Sequence, residues 1–174
     1  MDFEHRRDAF CGKFALTSVL NQMGVKYTGY TPFAVAPDTD EFVAQLKKFA
    51  ATCRVVKALT GMRVGVIGAR TSAFKSVRYD ETVLERHGVE VETYDLTSIM
   101  KIYNSLSDSD GSVLEWRRDL NAAMNCSAAP AGRDLVLAKF GAAVESVIKT
   151  AKLDAIAIRC WSELQELLGI APCS

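Results

Sequence analysis

The stretch Arg63-Val-Gly-Val-Ile67, followed by Gly68, decides the fold class because it is the clearest strand in the sequence. A second apolar segment, Asp154-Ala-Ile-Ala-Ile158, follows a long amphipathic helix, and between the two Val89–Tyr94 alternates as a strand does. Strands that are apolar on both faces and separated by amphipathic helices are typical of a parallel sheet. We therefore predict a three-layer, Rossmann-like α/β fold whose parallel sheet carries helices on both faces.

Helical periodicity accounts for most of the remaining sequence. A long segment from about Asp40 to Leu59 carries a broad apolar stripe, with Asp38 or Thr39 available to cap its start. Ser112 and Glu115 have the spacing of a capping box at the start of a later helix. The other predicted helices are Gly12–Met23, Asp80–His87, Leu96–Leu106, Asp134–Lys152 and a short one from Ser162 to Gly169, and Val25–Thr31 is a further strand candidate.

Both ends of the sequence have the pattern of incomplete units. After the short helix that stops at Gly169, a parallel sheet of this kind is expected to continue with another strand, and the sequence ends at Ser174 instead. At the other end, one helix and one strand candidate precede the helix of residues 40–59 without completing a sheet. We therefore expect a sheet that is incomplete at its carboxyl end, in a piece of a larger protein.

Composition and charge exclude several classes of protein. The chain has 174 residues, of which 49% are apolar and 24% are charged, so it can bury a core and is not disordered as a whole. Its 21 basic and 21 acidic residues give a net charge of zero, which argues against a nucleic-acid binder. No apolar stretch is long enough to cross a membrane, and the charged segment Met1–Asp8 does not resemble a signal peptide. Five cysteines without a Cys-x-x-Cys pair indicate a reducing, cytoplasmic setting.

Motifs that would carry other chemistry are incomplete. Gly65 and Gly68 lack the third glycine that a dinucleotide-binding turn requires, and no Walker A sequence occurs. The two histidines, His5 and His87, have no second ligand at metal-binding spacing, and the acidic loop 107–111 does not match a calcium-binding loop. No nucleophile elbow occurs, and no cysteine has a neighbouring histidine to activate it.

Two segments that follow predicted strands carry the candidate binding residues. The loop after the first strand contains Arg70 and Arg78, and the segment after the last strand contains Arg159, Cys160 and Trp161. Ligands of open parallel sheets bind beyond the carboxyl ends of the strands. An indole ring beside a guanidinium suits a polyhydroxylated ligand, because the ring offers a flat apolar face and the guanidinium donates to hydroxyls. The alternative is that the tryptophan packs under the sheet and the arginines form surface ion pairs.

Four motifs occur in a fixed order and together cover nearly the whole chain. They are Asp8-Ala-Phe-Cys-Gly-Lys-Phe-Ala15; Met62-Arg-Val-Gly-Val-Ile-Gly-Ala-Arg70 with Phe74, Val77 and Arg78; Leu153-Asp-Ala-Ile-Ala-Ile-Arg-Cys-Trp161; and Gly169-Ile-Ala-Pro-Cys173. This set resembles the L-fucose isomerase family of the L-fucose/L-arabinose isomerase-like superfamily. The resemblance implies that residues 1–60 are the end of a first α/β domain plus a crossing helix, and that residues 61–174 are a truncated second α/β domain.

The resemblance also implies a chemistry. In this family a divalent metal of the Mn²⁺ type, held by Glu, Asp and His, polarises the carbonyl and hydroxyl oxygens of a sugar. An acid–base pair then moves a proton between neighbouring carbons through an enediol. The family's metal-binding Glu and Asp lie beyond the stretch that matches Pro172-Cys173, and His5 and His87 match none of its ligands. We therefore expect this chain to hold no metal ligand and no catalytic residue, and to be inactive by itself.

The resemblance also implies which residues of this chain contact the sugar. The strand end Arg159-Cys160-Trp161 abuts the sugar site in the family, which commonly has Gln where Arg159 stands, and Arg70 and Arg78 match a recurring loop. We predict these five residues to be substrate-binding, with a monosaccharide of the L-fucose or L-arabinose type as the ligand.

The remaining expectations concern partners and the rival interpretations. We expect a homo-oligomer, because a truncated sheet exposes apolar surface, and we expect no nucleic-acid or membrane partner. The first alternative function is a non-catalytic α/β module that binds a sugar or another metabolite. The second is a structural subunit that is completed by a partner supplying the metal ligands.

Overall fold

A computed structural model describes residues 9–125 and 129–172, and the chain divides into two units, residues 1–58 and 59–174. Within the part of the chain that the structure describes, no helix is long and apolar enough to cross a membrane. His5, which the sequence analysis weighed as a metal ligand, lies outside the described residues.

The first unit contains two helices, α1 (Ala9–Gln22) and α2 (Asp40–Leu59). The predicted cap of α2 is confirmed, because the Thr39 hydroxyl accepts a hydrogen bond from the Phe42 amide at 3.3 Å. The strand predicted at Val25–Thr31 is wrong, since this segment is irregular. An extended segment needs a neighbouring strand to pair its backbone groups, and the described residues of this unit provide none.

The second unit is built on a parallel sheet of three strands: β1 (Met62–Ile67), β2 (Val89–Tyr94) and β3 (Ala155–Ile158). Their spatial order is β2-β1-β3, so the strand that decided the fold class from the sequence lies in the middle. The α/β prediction is therefore confirmed. The finer expectation of a three-layer Rossmann-like arrangement stays a prediction.

Five helices connect and follow these strands. They are α3 (Glu81–Arg86), α4 (Leu96–Ser105), α5 (Gly111–Ala123), α6 (Arg133–Ala151) and α7 (Glu163–Leu168), and a single 3₁₀ turn spans Lys75–Val77.

The capping box predicted at Ser112 is wrong. Helix α5 begins at Gly111, so its N-cap is Asp110 and Ser112 already lies inside the first turn. The Asp110 carboxylate instead turns back and accepts a hydrogen bond from the Ser107 amide at 2.8 Å. It therefore closes the preceding turn, as short acidic side chains often do.

The core of the second unit lies around helix α6. Phe140, Val144 and Val147 from this helix pack in one cluster with Ile67 at the end of β1. Leu164, in the first turn of α7, belongs to the same cluster and is completely buried. The segments that follow β1 and β3 are thus attached directly to packed core residues, which positions the loops described next.

Candidate functional site

A cleft of about 520 Å³ lies at the carboxyl ends of the strands of the second unit. Its walls are formed by residues of the segments 66–79 and 157–161, with Thr93 from the end of β2. All three strands therefore contribute to the cleft, which is where parallel sheets bind their ligands.

Gly68 brings the two main walls together. Its backbone has a φ of +79°, the left-handed region that favours glycine, and this lets the chain turn sharply at the end of β1. A Cβ atom at this position would lie 3.3 Å from the Arg159 Cβ, so the close approach of the two segments depends on the missing side chain. The Arg159 amide also donates to the Ile67 carbonyl at 2.9 Å, which extends the β1–β3 pairing to the rim of the cleft.

Two aromatic rings form an apolar face in the cleft. The rings of Phe74 and Trp161 lie with their centroids 5.2 Å apart and their planes inclined by 38°. Trp161 is 51% exposed, so the alternative in which it packs under the sheet is wrong. The Thr71 hydroxyl donates to the Trp161 carbonyl at 3.5 Å and links the two walls behind these rings. The cleft thus presents a partly exposed indole face of the kind that stacks on apolar ligand surfaces.

Arg159 lines the cleft and is held at two points. Its Nε donates to the Trp161 carbonyl at 2.5 Å, and its Nη2 lies 2.9 Å from Oε1 of Glu163. The alternative predicted an ion pair for this arginine, and the ion pair with Glu163 is present. Arg159 nevertheless lines the cleft. A guanidinium held in this way keeps further N–H donors for a ligand.

Arg70 lines the opposite wall and is held by its own loop. Its Nη1 lies within hydrogen-bond distance of the carbonyl oxygens of Thr71, Ser72 and Phe74, at 2.9, 3.1 and 3.2 Å. These three acceptors are neutral, so they orient the guanidinium without cancelling its charge.

The other predicted residues differ in their placement. Cys160 lines the cleft and is half-buried between Arg159 and Trp161. Arg78 is exposed, follows the 3₁₀ turn, and is not one of the residues that line the cleft. The structure therefore brings Arg70, Arg159, Cys160 and Trp161 together and leaves Arg78 outside.

Three residues near the cleft were not singled out from the sequence. Thr93 lies at the end of β2, and that position becomes visible only once the strand order is known. Tyr79 lies in the segment after β1, and its hydroxyl lies 3.4 Å from the Glu81 carboxylate. Burial, together with this carboxylate, raises the pKa of Tyr79, and the phenol O–H donates to the carboxylate. Glu163 pairs with Arg159, and because Arg159 lies before α7, the helical i,i+4 spacing rule did not apply to this pair.

The described residues do not form a metal centre. Within 9–125 and 129–172, no three His, Cys, Asp or Glu side chains come together as a ligand set. His87 is exposed at the end of α3, where it serves as the C-cap. The Glu, Asp and His set that the resemblance implies is therefore not offered by this part of the chain.

Comparison with known proteins shows which proteins the chain resembles. A family model described as "Fucose/sulfoquinovose isomerase, N-terminal domain" matches residues 1–60. Two curated proteins named sulfoquinovose isomerase, from Priestia aryabhattai and Priestia megaterium, are each 29% identical to the chain over 150 residues. The chain is a relative of the fucose isomerase-like family. The match covers 82% of this chain and 32% of each relative, so the chain spans about a third of their length.

The predicted resemblance to the fucose isomerase family is therefore confirmed. Within that relationship, the cleft offers ring faces, guanidinium donors and hydroxyl groups, and no Asp or Glu side chain is among its lining residues. Such a set can hold a polyhydroxylated ligand by stacking and hydrogen bonding.

Proposed function

We propose that this chain is a sugar-binding part of an aldose–ketose isomerase and that it does not isomerise the sugar by itself. A monosaccharide binds in the cleft at the carboxyl ends of β1 and β3. The observation that carries the proposal is the partly exposed indole of Trp161 beside the fixed guanidinium of Arg159, in a chain related to sugar isomerases.

The cleft binds the sugar through two kinds of contact. The C–H face of the ring stacks on Trp161, since aromatic faces are apolar and carry partial negative charge. Arg159 donates to the sugar hydroxyls through the N–H groups that do not bind Trp161 or Glu163. Tyr79 also lines the cleft, and because its O–H donates to Glu81, its oxygen is left to accept a hydrogen bond from a sugar hydroxyl.

Isomerisation needs groups that the described residues do not supply. The family chemistry implies a divalent metal, and the described residues provide no three-ligand set for one. We assign no catalytic residue to this chain and propose that the metal ligands come from other polypeptide, either within a longer protein or in a partner subunit. We also propose a homo-oligomer, because α2 exposes apolar side chains, among them Leu46 and Phe49. A cytoplasmic setting is proposed from the cysteines, which form no Cys-x-x-Cys pair.

The identity of the sugar is a choice between two chemical types. The resemblance gave neutral sugars of the L-fucose or L-arabinose type, whereas the two relatives are named for sulfoquinovose, which carries a sulfonate. Both types share the ring hydroxyls that Arg159 would bind. The test therefore includes L-fucose, L-arabinose and sulfoquinovose as separate ligands.

Tryptophan fluorescence tests the proposed site directly, because the chain has two tryptophans and only Trp161 lines the cleft. Trp116 lies in α5, where its Nε1 donates to Glu145 at 2.8 Å. We expect one of the three sugars to change the emission in a saturable way. The change should persist in Trp116→Phe and disappear in Trp161→Phe. A response that survives in Trp161→Phe, or no response to any of the sugars, would contradict a sugar site in the cleft.

A turnover assay tests the second half of the proposal. The purified chain is incubated with Mn²⁺ and each sugar, and the ketose product is measured. We expect no ketose above the level without protein. Appreciable turnover by the chain alone would show that a complete catalytic centre exists within these 174 residues. It would contradict the proposal that the metal ligands come from other polypeptide.

A further inference from the structure

The charge of the cleft depends on a carboxylate that is not one of its lining residues. Two guanidiniums, Arg70 and Arg159, line the cleft, and no Asp or Glu side chain is among its lining residues. The carboxylate that pairs with Arg159 belongs to Glu163, in the first turn of α7. This residue lies next to the cleft without lining it.

Glu163 fixes the orientation of the Arg159 guanidinium. The Trp161 carbonyl holds Nε at 2.5 Å, and Oε1 of Glu163 holds Nη2 at 2.9 Å. Because a guanidinium is planar and rigid, bonds to two different nitrogens determine the direction of the remaining N–H groups. Without Glu163 the group would be held at one nitrogen and could rotate about that bond.

The position of Glu163 is itself well determined. The next residue, Leu164, is fully buried in the core, which anchors this turn of α7. The Glu163 side chain is 42% exposed, yet its second oxygen, Oε2, is buried and has no hydrogen-bond partner in the described part of the chain. A buried acceptor without a partner lowers stability. The Glu163 carboxylate thus has one oxygen paired with Arg159 and one buried oxygen without a partner among the described residues.

The two arginines of the cleft differ in their partners. Arg159 faces a carboxylate, whereas the partners found for Arg70 among the described residues are neutral carbonyl oxygens. One of the two charges is thus cancelled locally and the other is not. An anionic ligand gains from each uncancelled guanidinium, whereas an uncharged sugar gains from the direction of the N–H donors.

We propose that Glu163 is a positioning and specificity residue of the cleft. It aims Arg159 at sugar hydroxyls and cancels the charge of that arginine, which reduces the preference of the cleft for an anionic sugar over its uncharged counterpart. This inference rests on the proposed sugar-binding function.

The test compares two sugars that differ in one group. Quinovose is 6-deoxyglucose, and sulfoquinovose is the same sugar with a sulfonate at carbon 6. The Kd of each is measured from Trp161 fluorescence at low salt in a Trp116→Phe background. We expect Glu163→Gln to shift the ratio of the two affinities toward sulfoquinovose by about three- to tenfold, because it removes a negative charge next to the site. The affinity for quinovose should stay within about twofold, because the Gln amide oxygen still accepts a hydrogen bond from Arg159.

Three further measurements separate charge from structural damage. Glu163→Asp keeps the charge and should keep the wild-type ratio. Glu166→Gln removes a charge from an exposed position one turn along the same helix and should change the ratio less than twofold. The effect of Glu163→Gln should shrink at about 1 M salt, where the screening length falls to about 3 Å. Circular dichroism and thermal melts establish that each variant is folded.

The outcomes distinguish this inference from the function on which it rests. If the Trp116→Phe protein responds to neither of these sugars but responds to L-fucose or L-arabinose, the sugar site stands and the role of Glu163 in this discrimination is overturned. If it responds to none of the four sugars, both the proposed function and the role of Glu163 are overturned. If it binds sugar and Glu163→Gln gives the same ratio as Glu166→Gln, the sugar site stands and the role of Glu163 is overturned. A ratio that shifts equally in Glu163→Asp would also overturn it, since the charge would then not be the cause.

Discussion

At the scale of single residues, Asp80 shows how one carboxylate sets the start of a helix beside the cleft. Its Oδ1 accepts hydrogen bonds from the Thr82 hydroxyl at 2.7 Å and from the Thr82 and Val83 amides at 2.9 and 3.2 Å. These bonds favour the ionised form. The Thr82 hydroxyl above all, followed by the Val83 amide, lowers the pKa of Asp80 below its ordinary value of 3.8.

The lowered pKa predicts a pH-dependent effect of Asp80→Asn, which removes the charge and keeps an acceptor oxygen. A carboxyl whose folded pKa is below its unfolded value stabilises the protein above the unfolded value, and the stabilisation is lost as the pH falls through the folded pKa. The wild type should therefore be more stable than the variant above about pH 4, and the difference should vanish at lower pH. Urea unfolding at several pH values measures it. A difference that does not change with pH would contradict an electrostatic cap.

Gly68 predicts a residue-scale effect on binding. Gly68→Ala places a side chain at positive φ and 3.3 Å from the Arg159 Cβ, so it should destabilise the protein by about 1 kcal/mol and weaken sugar binding. Gly61→Ala is the matched control, because Gly61 also has positive φ, and a Cβ there would meet no atom within 4 Å. It should lower stability similarly and leave the Kd unchanged. Equal effects of the two variants on the Kd would show that the contact with Arg159 does not matter.

At the scale of elements, the packing of helices α5 and α6 includes a close contact between Trp116 and Gly141. A Cβ at Gly141 would lie between 2.6 and 2.9 Å from three atoms of the Trp116 ring, so the indole lies directly on the backbone of α6. Gly141→Ala should stabilise the helix by about 1 kcal/mol through helix propensity. The clash of the added methyl group with the indole should cost about 1 to 3 kcal/mol. We expect a net loss of about 1 kcal/mol in the free energy of unfolding.

A double variant isolates that contact. In a Trp116→Ala background the ring is absent, so Gly141→Ala should become stabilising by about 0.5 to 1 kcal/mol through helix propensity alone. Chemical denaturation of the four proteins gives the interaction energy. If Gly141→Ala were stabilising in both backgrounds, the packing of the indole on α6 would be contradicted.

The elements themselves were largely predictable because their signals are local. The apolar run of β1, the alternation of β2 and the stripe of α6 each follow from residues within one segment. The two failures depend on information from outside the segment. Val25–Thr31 is not a strand because no described strand of the first unit pairs with it. Ser112 is not the N-cap because Asp110, two residues earlier, takes that position.

At the scale of the whole molecule, the core is concentrated in the second unit. The main cluster of buried apolar residues lies entirely between Ile67 and Ile170, and the cleft lies in the same unit. Among residues 10–58, whose burial the structure describes, Thr17 alone is buried, and the stripe that predicted a core face on α2 is largely exposed. The sequence pattern identified the apolar face of α2 correctly but could not show what covers it.

This distribution predicts that residues 59–174 fold without the first unit. When produced alone, they should unfold cooperatively in urea and bind the same sugar with a Kd within about threefold of the full chain, because both the core and the cleft are retained. Non-cooperative unfolding, or loss of binding with cooperative unfolding intact, would show that residues 1–58 contribute to the core or to the site.

The candidate site could be predicted in outline but not in detail. The rule that ligands bind beyond strand ends identified the segments of Arg70 and Trp161, since it requires the strands alone. It could not separate Arg78 from the cleft, because Val77 and Tyr79 on either side of Arg78 line the cleft, and the direction of each side chain in this segment is set by the fold. It also missed Glu163, whose role depends on where α7 starts relative to Arg159.

The central claim is that sugar binds at the strand ends of the second unit, and amide chemical shifts of the ¹⁵N-labelled chain test it most directly. Titration with L-fucose and, separately, with sulfoquinovose should shift the amides of residues 68–74 and 159–161 with one common Kd for the sugar that binds. The first unit has a cavity of its own, about 440 Å³ and lined by Tyr27, Tyr30 and Phe49 among others. Shifts confined to residues 26–30 and 42–49, or no shifts with either sugar, would contradict the account.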